Sequence, residues 1–140
     1  MSLEQVQPVD DPKRLLGGRY RLDRQIARGG MAEVWLGFDT FLNRQVAVKL
    51  LKPQLVSDAV VAERFRREAI VCAGLNHPNI VAVYDTVEDD GRQAVVMQYI
   101  QGKSLRELLD RRKRLGPLLT IHMGAAMAAA LDVAHRAGLV

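Results

Sequence analysis

The chain has 140 residues, 49% hydrophobic and 26% charged, and its 11 glycines and 5 prolines fall well short of the roughly 25–30% that marks low-complexity chains, so wholesale disorder and collagen-like repeats are excluded. Twenty basic against sixteen acidic side chains leave +4, which admits nucleotides, nucleic acid or acidic lipid as partners and demands none. A single cysteine cannot close an internal disulfide and points to a reducing, cytoplasmic compartment, with any membrane anchor of a longer protein lying downstream.

Residues 1–16 are polar and carry Asp10-Asp11-Pro12; they read as a loose lead-in, without the basic start and apolar centre of a secretory signal. Period-two alternation then predicts three strands, through Tyr20, Leu22 and Ile26, through Val34, Leu36 and Phe38, and through Val46, Val48 and Leu50. Arg28-Gly29-Gly30 and Leu42-Asn43-Arg44 are connections short enough to keep neighbouring strands antiparallel. Ser57 to Gly74 predicts a helix with Ser57 as its N-cap. Two further strands, Ile80–Glu88 and Gln93–Tyr99, meet through the hairpin signal Asp89-Asp90-Gly91.

The period changes near Gln101-Gly102. Ser104-Leu105-Arg106-Glu107 is a capping box that opens a short helix, closed by Arg111, Arg112, Lys113 and Arg114 where the helix dipole favours cations. That run lacks interleaved aromatic residues, so it reads as a solvated helix end and not as a nucleic-acid surface. Gly116-Pro117 opens a last helix running to about Ala137, with Gly138 as its C-cap. Leu118, Leu119, Ile121, Met123, Met127, Leu131 and Val133 point all round it, which predicts burial on every side, a domain that continues past Val140, and self-association of the isolated chain. Its apolar stretch, Leu118 to Ala134, is shorter than the roughly 20 residues of a membrane span and carries Thr120, His122 and Asp132, so no membrane segment is expected.

Three features carry chemistry. The loop Ala27-Arg28-Gly29-Gly30-Met31-Ala32 lies between two strands, where backbone amides form either an anion-binding concavity or an ordinary glycine turn. Lys49 shares a strand face with Ala47 and Leu51, so it faces either an anion or, from an edge strand, water. Glu68 falls among Val61, Phe65, Ala69 and Cys72 on the 57–74 helix, and a carboxylate within an apolar stripe needs a partner cation, for which Lys49 is the natural candidate; a place at the stripe's edge, reaching water, is the alternative. Cys72 reads as a small buried hydrophobe. His77, His122 and His135 have no metal-ligand spacing and read as structural.

A glycine loop between two strands, Val46-Ala47-Val48-Lys49 on the third, and a glutamate on the following helix form an ordered set that resembles the eukaryotic-like serine/threonine protein kinases. The resemblance runs from about Tyr20 to Val140, and is nearest to bacterial receptor-type kinases through Phe65-Arg66-Arg67-Glu68-Ala69, His77-Pro78-Asn79-Ile80-Val81 and the stretch from Met97 to Leu105. It implies an α+β fold: a small lobe over 17–100, made of a five-stranded antiparallel sheet and one helix, then a hinge and the first helices of a helical large lobe over 101–140. By the same resemblance Ala27, Arg28, Gly29, Gly30, Met31 and Ala32 would cover the phosphates of ATP, Lys49 would contact the first two of them, and Glu68 would hold Lys49. Ile26, Val34 and Ala47 would enclose the adenine, Met97 would be the gatekeeper, and Gln98 and Ile100 would offer hinge hydrogen bonds.

Two departures stand out. Of the family's three loop glycines only the middle one, Gly29, is present, with Ala27 and Ala32 at the outer places and Gly30 beside it. The family's catalytic His-Arg-Asp loop and the aspartate that binds magnesium fall past Val140, so these 140 residues alone are expected not to transfer phosphate to a protein substrate. A pseudokinase or nucleotide-sensing scaffold that keeps Lys49 and Glu68 for shape is the competing reading, and a small basic nucleic-acid binder is a third.

Overall fold

Alternating residues build the sheet and its register places the site. In the computed structural model, which describes residues 15–139, β1 (Tyr20–Arg28), β2 (Ala32–Asp39), β3 (Arg44–Leu51), β4 (Val83–Asp89) and β5 (Arg92–Gln98) form one antiparallel sheet in the order β1-β2-β3-β5-β4. The expected five-stranded α+β architecture is present. Directly opposed residues share a face, so the pairings write out rows across the sheet: Ala27, Val34, Lys49, Val95 and Thr86 in one, and Leu36, Ala47, Met97 and Val83 in the next on the same face. Between them, on the opposite face, run Gln25, Trp35, Val48, Val96 and Asp85.

Each face has its own core. On the second face Leu16, Tyr20, Val46, Val48, Leu50, Ala94 and Val96 pack together. On the first, Ala32, Leu51 and Val95 meet Ala62, Phe65 and Ala69 of α2 (Ala59–Ala73). Phe65 is buried, worth about 1.5–3 kcal/mol against exposure, and with Ala62 and Ala69 it packs α2 on the sheet.

The hairpin between β4 and β5 turns on Asp90 and Gly91, both at positive φ, as that dipeptide predicts. The remaining elements shift the expected boundaries. In place of one helix from Ser57 there is a single turn, α1 (Pro53–Val56), followed by α2, whose N-cap is Asp58: its carboxylate accepts from the amides of Val60 and Val61 at 3.1 and 3.2 Å, and Ser57 instead ends α1. The fourth strand starts at Val83 and not at Ile80, because Ile80 closes a turn by donating its amide to the His77 carbonyl at 3.1 Å. The loose lead-in also stops earlier than Leu16, which is fully buried; residues 1–14 lie outside the described part.

Beyond the sheet, α3 (Leu105–Arg112) begins at the expected capping box, with the Glu107 amide donating to Ser104 Oγ at 3.1 Å and the Ser104 amide to Glu107 Oε2 at 2.7 Å. The last helix, α4 (Pro117–Arg136), ends with Ala137 as C-cap and Gly138 one place beyond, at φ 87°, so Gly138 is the left-handed residue after the cap and not the cap itself. Leu118, Ile121, Met127 and Leu131 all stand exposed on α4. At 20 residues, α4 has the length and apolar composition to cross a membrane, contrary to the shorter run expected from Leu118 to Ala134.

Candidate functional site

The strand faces converge on a cavity of about 300 Å³ between the sheet and α2. Lys49 enters it from β3, Met97 from β5, and Phe65, Glu68 and Cys72 from α2. Lys49 stands in a row whose β2 and β5 neighbours, Val34 and Val95, are apolar, and its Nζ lies 5.8 Å from the centre of the Phe65 ring, within cation–π range. Central β3 has partners on both sides, so Lys49 is not an edge-strand lysine with a free path to solvent.

Glu68 lines the same cavity, but the expected ion pair with Lys49 is not formed. Its Oε1 accepts from Arg64 Nε at 3.2 Å, and its side chain is 44% exposed. The apolar stripe of α2 is Ala62, Phe65 and Ala69, and Glu68 sits on the stripe's edge, where Arg64 one turn earlier reaches it more easily than Lys49 does. Arg64 is thus the residue that the sequence reading missed, although its i,i+4 spacing to Glu68 was there to be seen. Cys72 is likewise only partly buried and lines the cavity wall.

The loop between β1 and β2 follows Ala27, which shares a row with Lys49. It is pinned at three points: the Gly29 amide donates to the Ala32 carbonyl at 2.9 Å, the Lys52 amide to the Met31 carbonyl at 3.1 Å, and Arg28 Nη2 to Glu33 Oε1 at 3.4 Å. Neither Gly29 nor Gly30 takes a left-handed φ, so the turn itself does not require glycine. A Cβ built on Gly30 would meet nothing within 4 Å, and one on Gly29 only the Ala32 carbonyl at 3.5 Å. What the missing side chains leave is open backbone, the feature a loop needs to approach a ligand closely.

Val34 of β2 opposes Ala27 on one side and Lys49 on the other, while Ala47 opposes Met97, so these residues form one continuous surface beneath the loop. Ile26 falls in a register shift of β1 and is 37% exposed at the rim. At the far end the Gln98 amide donates to the Ala82 carbonyl at 2.8 Å, and its side chain accepts from the Ala82 amide at 3.3 Å. Its amide is therefore committed to the fold. Ile100, two residues on, is 58% exposed. Among the described residues no three or more His, Cys, Asp or Glu side chains gather to hold a metal ion, and His77 Nδ1 accepts from the Asn79 amide at 3.1 Å as part of a turn.

Lys49 and Glu68 thus line one cavity, and comparison with known proteins shows the family to which such a chain belongs. Residues 20–140 match the family of the protein kinase domain. The chain is 50% identical over 136 residues to the probable serine/threonine-protein kinase SCO3848 of Streptomyces coelicolor, covering 94% of this chain and 20% of that protein. It is 46% identical over 130 residues to the serine/threonine-protein kinase PknA of Mycobacterium tuberculosis, covering 89% of this chain and 30% of that one. Among solved structures, the kinase domain of M. tuberculosis PknI superposes with a TM-score of 0.78 at 31% identity, over 91% of this chain and 51% of that domain. The chain thus spans between a fifth and a third of the length of these curated relatives and about half of a solved kinase domain. Family match and sheet agree: the chain belongs to the protein kinase domain family, as the small lobe and the first large-lobe helices of such a domain.

Proposed function

We propose that this chain is the ATP-binding part of a cytoplasmic serine/threonine protein kinase that transfers the γ-phosphoryl group of ATP to a protein hydroxyl. The observation that carries the reading is Lys49, a cation from a central strand in a cavity walled by Phe65 and Met97, with no ion pair to the Glu68 carboxylate beside it. Such a side chain attracts polyphosphate, and in a partly desolvated site that attraction exceeds what a surface lysine provides. Phosphoryl transfer leaves a protein little covalent work beyond positioning and charge stabilisation.

In this reading the open backbone of Gly29 and Gly30 covers the phosphates, Lys49 binds the first two of them, and Glu68 positions Lys49 once it leaves Arg64. Ile26, Val34 and Ala47 enclose the adenine, Met97 limits the depth of its pocket, and the carbonyl of Gln98 with the backbone of Ile100 offers hydrogen bonds at the hinge. Magnesium, when bound, neutralises phosphate charge; the described residues provide no ligand cluster for it, and its ligands belong to the rest of a kinase domain. The helix α4 lies within the matched span, and we read it as a core helix of the large lobe and not as a membrane anchor.

The test is phosphotransfer from radiolabelled ATP to a protein substrate by the gene's full product. Lys49→Met should lower the rate at least a hundredfold, about 2.7 kcal/mol of transition-state stabilisation, while the fold, read by circular dichroism, persists. A folded Lys49→Met variant of wild-type activity would remove the basis of the reading.

A further inference from the structure

The core begins before the family match does. Leu16 is fully buried and Tyr20 is 2% exposed, both on the sheet face that α2 does not cover. The two exchange backbone hydrogen bonds at 2.8 and 3.0 Å around Gly17 and Gly18, which sit at φ 58° and 68°, where other side chains are strained. The Gly17 amide donates to Asp89 Oδ2 at 3.0 Å, and a Cβ on Gly17 would lie 2.8 Å from Val87 Cγ1. Tyr20 donates its hydroxyl to Asp85 Oδ2 at 2.6 Å. Asp85 and Asp89 belong to β4, and β4 and β1 are the two outer strands of the sheet. Residues 16–20 therefore tie together opposite edges of a sheet whose order leaves them unpaired.

What each edge carries gives the tie its meaning. β1 ends in the glycine loop, and past Asp23 it is exposed throughout, held to β2 by a ladder with two register shifts. β4 packs against α2, the helix that bears Glu68, and Val83 at its start lines the Lys49 cavity. The register shift between Val83 and Asp85 turns the Asp85 carboxylate to the face where Tyr20 lies, the kind of re-aiming that bulges perform. Resting on the ATP-binding reading above, we propose that Tyr20 and Asp85 are positioning residues: their hydrogen bond anchors the start of β1, the strand that leads into the glycine loop, to the α2–β4 wall, so that ATP meets a preorganised cleft. Neither residue touches the nucleotide. Breaking the bond lets the loop arm and the wall move separately, and the ordering is then taken from binding affinity.

The experiment measures binding of a fluorescent, N-methylanthraniloyl-labelled ATP to the gene's full product, at a temperature well below unfolding, with the melting temperature recorded in parallel. Tyr20→Phe and Asp85→Ala should each weaken binding about fivefold, the loss of one such hydrogen bond. Asp85→Asn, whose amide oxygen still accepts from the hydroxyl, should stay within twofold of wild type. The double variant Tyr20→Phe/Asp85→Ala should be no weaker than either single change, because one bond can be lost only once. If Tyr20→Phe does not fold, Asp85→Ala against Asp85→Asn decides on the same criterion. Folded variants with wild-type affinity and a lowered melting temperature would show a strap that only stabilises, overturning the proposal, as would additive single effects. A wild-type protein that binds no nucleotide would overturn the kinase reading and this inference with it, whereas wild-type binding with unaltered variants would overturn this inference alone.

Discussion

Asp39 is the most consequential buried charge in the described structure, and its removal has a calculable result. It is 1% exposed and accepts four hydrogen bonds: from Arg19 Nε and Nη2, both at 2.8 Å, and from the amides of Phe41 and Leu42 at 3.0 and 3.1 Å. Removing one partner of a buried pair costs about 3–5 kcal/mol, and because the Arg19 side chain is 27% exposed and regains water, Asp39→Ala belongs at the lower end, about 3 kcal/mol. At about 2–4 °C per kcal/mol for a domain of roughly 150–250 residues, this lowers Tm by about 6–12 °C. Asp39→Asn keeps an acceptor for the two amides but loses the charge, and should cost about half as much.

The pH dependence separates charge from shape. The Arg19 hydrogen bonds, aided by the amides of Leu42 and Phe41, outweigh burial and hold the Asp39 carboxyl well below the usual carboxylate range. A folded-state pKa below the unfolded value contributes stability that is present above the ordinary carboxylate pKa of about 3.9 and is lost as pH falls toward the folded value. The gap in stability between wild type and Asp39→Asn, read by urea denaturation, should therefore be full at pH 6–7 and shrink from about pH 5 downward. An Asp39→Ala variant within about 1 kcal/mol of wild type, a single neutral hydrogen bond's worth, or a gap indifferent to acid, would refute the reasoning.

Three further outcomes are expected. Arg64→Ala removes the partner that holds Glu68, an i,i+4 pair worth about 0.3–0.5 kcal/mol, so phosphotransfer by the full product should rise by up to about twofold, and a fall would show that Arg64 supports the site. Ser104→Ala deletes the side-chain half of the capping box on α3 and should cost about 1 kcal/mol in urea denaturation, whereas Ser104→Gly should cost only a few tenths. Residues 1–140 made alone leave Leu118 and Ile121 of α4 at 85% and 68% exposure, and should sediment as associated species; a sharp monomeric unfolding transition would contradict this.

The parts of this fold legible in the sequence are those whose physics is local. Alternation marked β1, β2 and β3 because apolar residues recur there at every second place, Asp90-Gly91 marked a hairpin because few other pairs accept two positive φ values, and Ser104 with Glu107 marked a helix start. The helix start near Ser57 was misplaced because Ser57 and Asp58 are adjacent and equally good caps, and only the amides of Val60 and Val61 decide between them. The Tyr20–Asp85 bond joins residues 65 apart, and no pattern along the chain announces it. Nor does any pattern single out Asp39, whose residue type is common at turns and whose burial depends on Arg19 arriving from the turn before β1.

The site was legible in its composition and not in its pairing. An i to i+4 step on a helix and a cross-cavity contact compete for the same carboxylate, and a stripe drawn at about 100° per residue cannot rank them, because Glu68 lies where either is within reach. The structure resolves the competition toward Arg64, by an exposed pair worth only a few tenths of a kcal/mol. That small figure is itself informative. A phosphate bound at Lys49 would neutralise much of what draws Glu68 across, while desolvation by the nucleotide would strengthen every remaining charge interaction in the cavity. Because the Arg64 pair is worth so little, modest differential binding would suffice to release Glu68 from it.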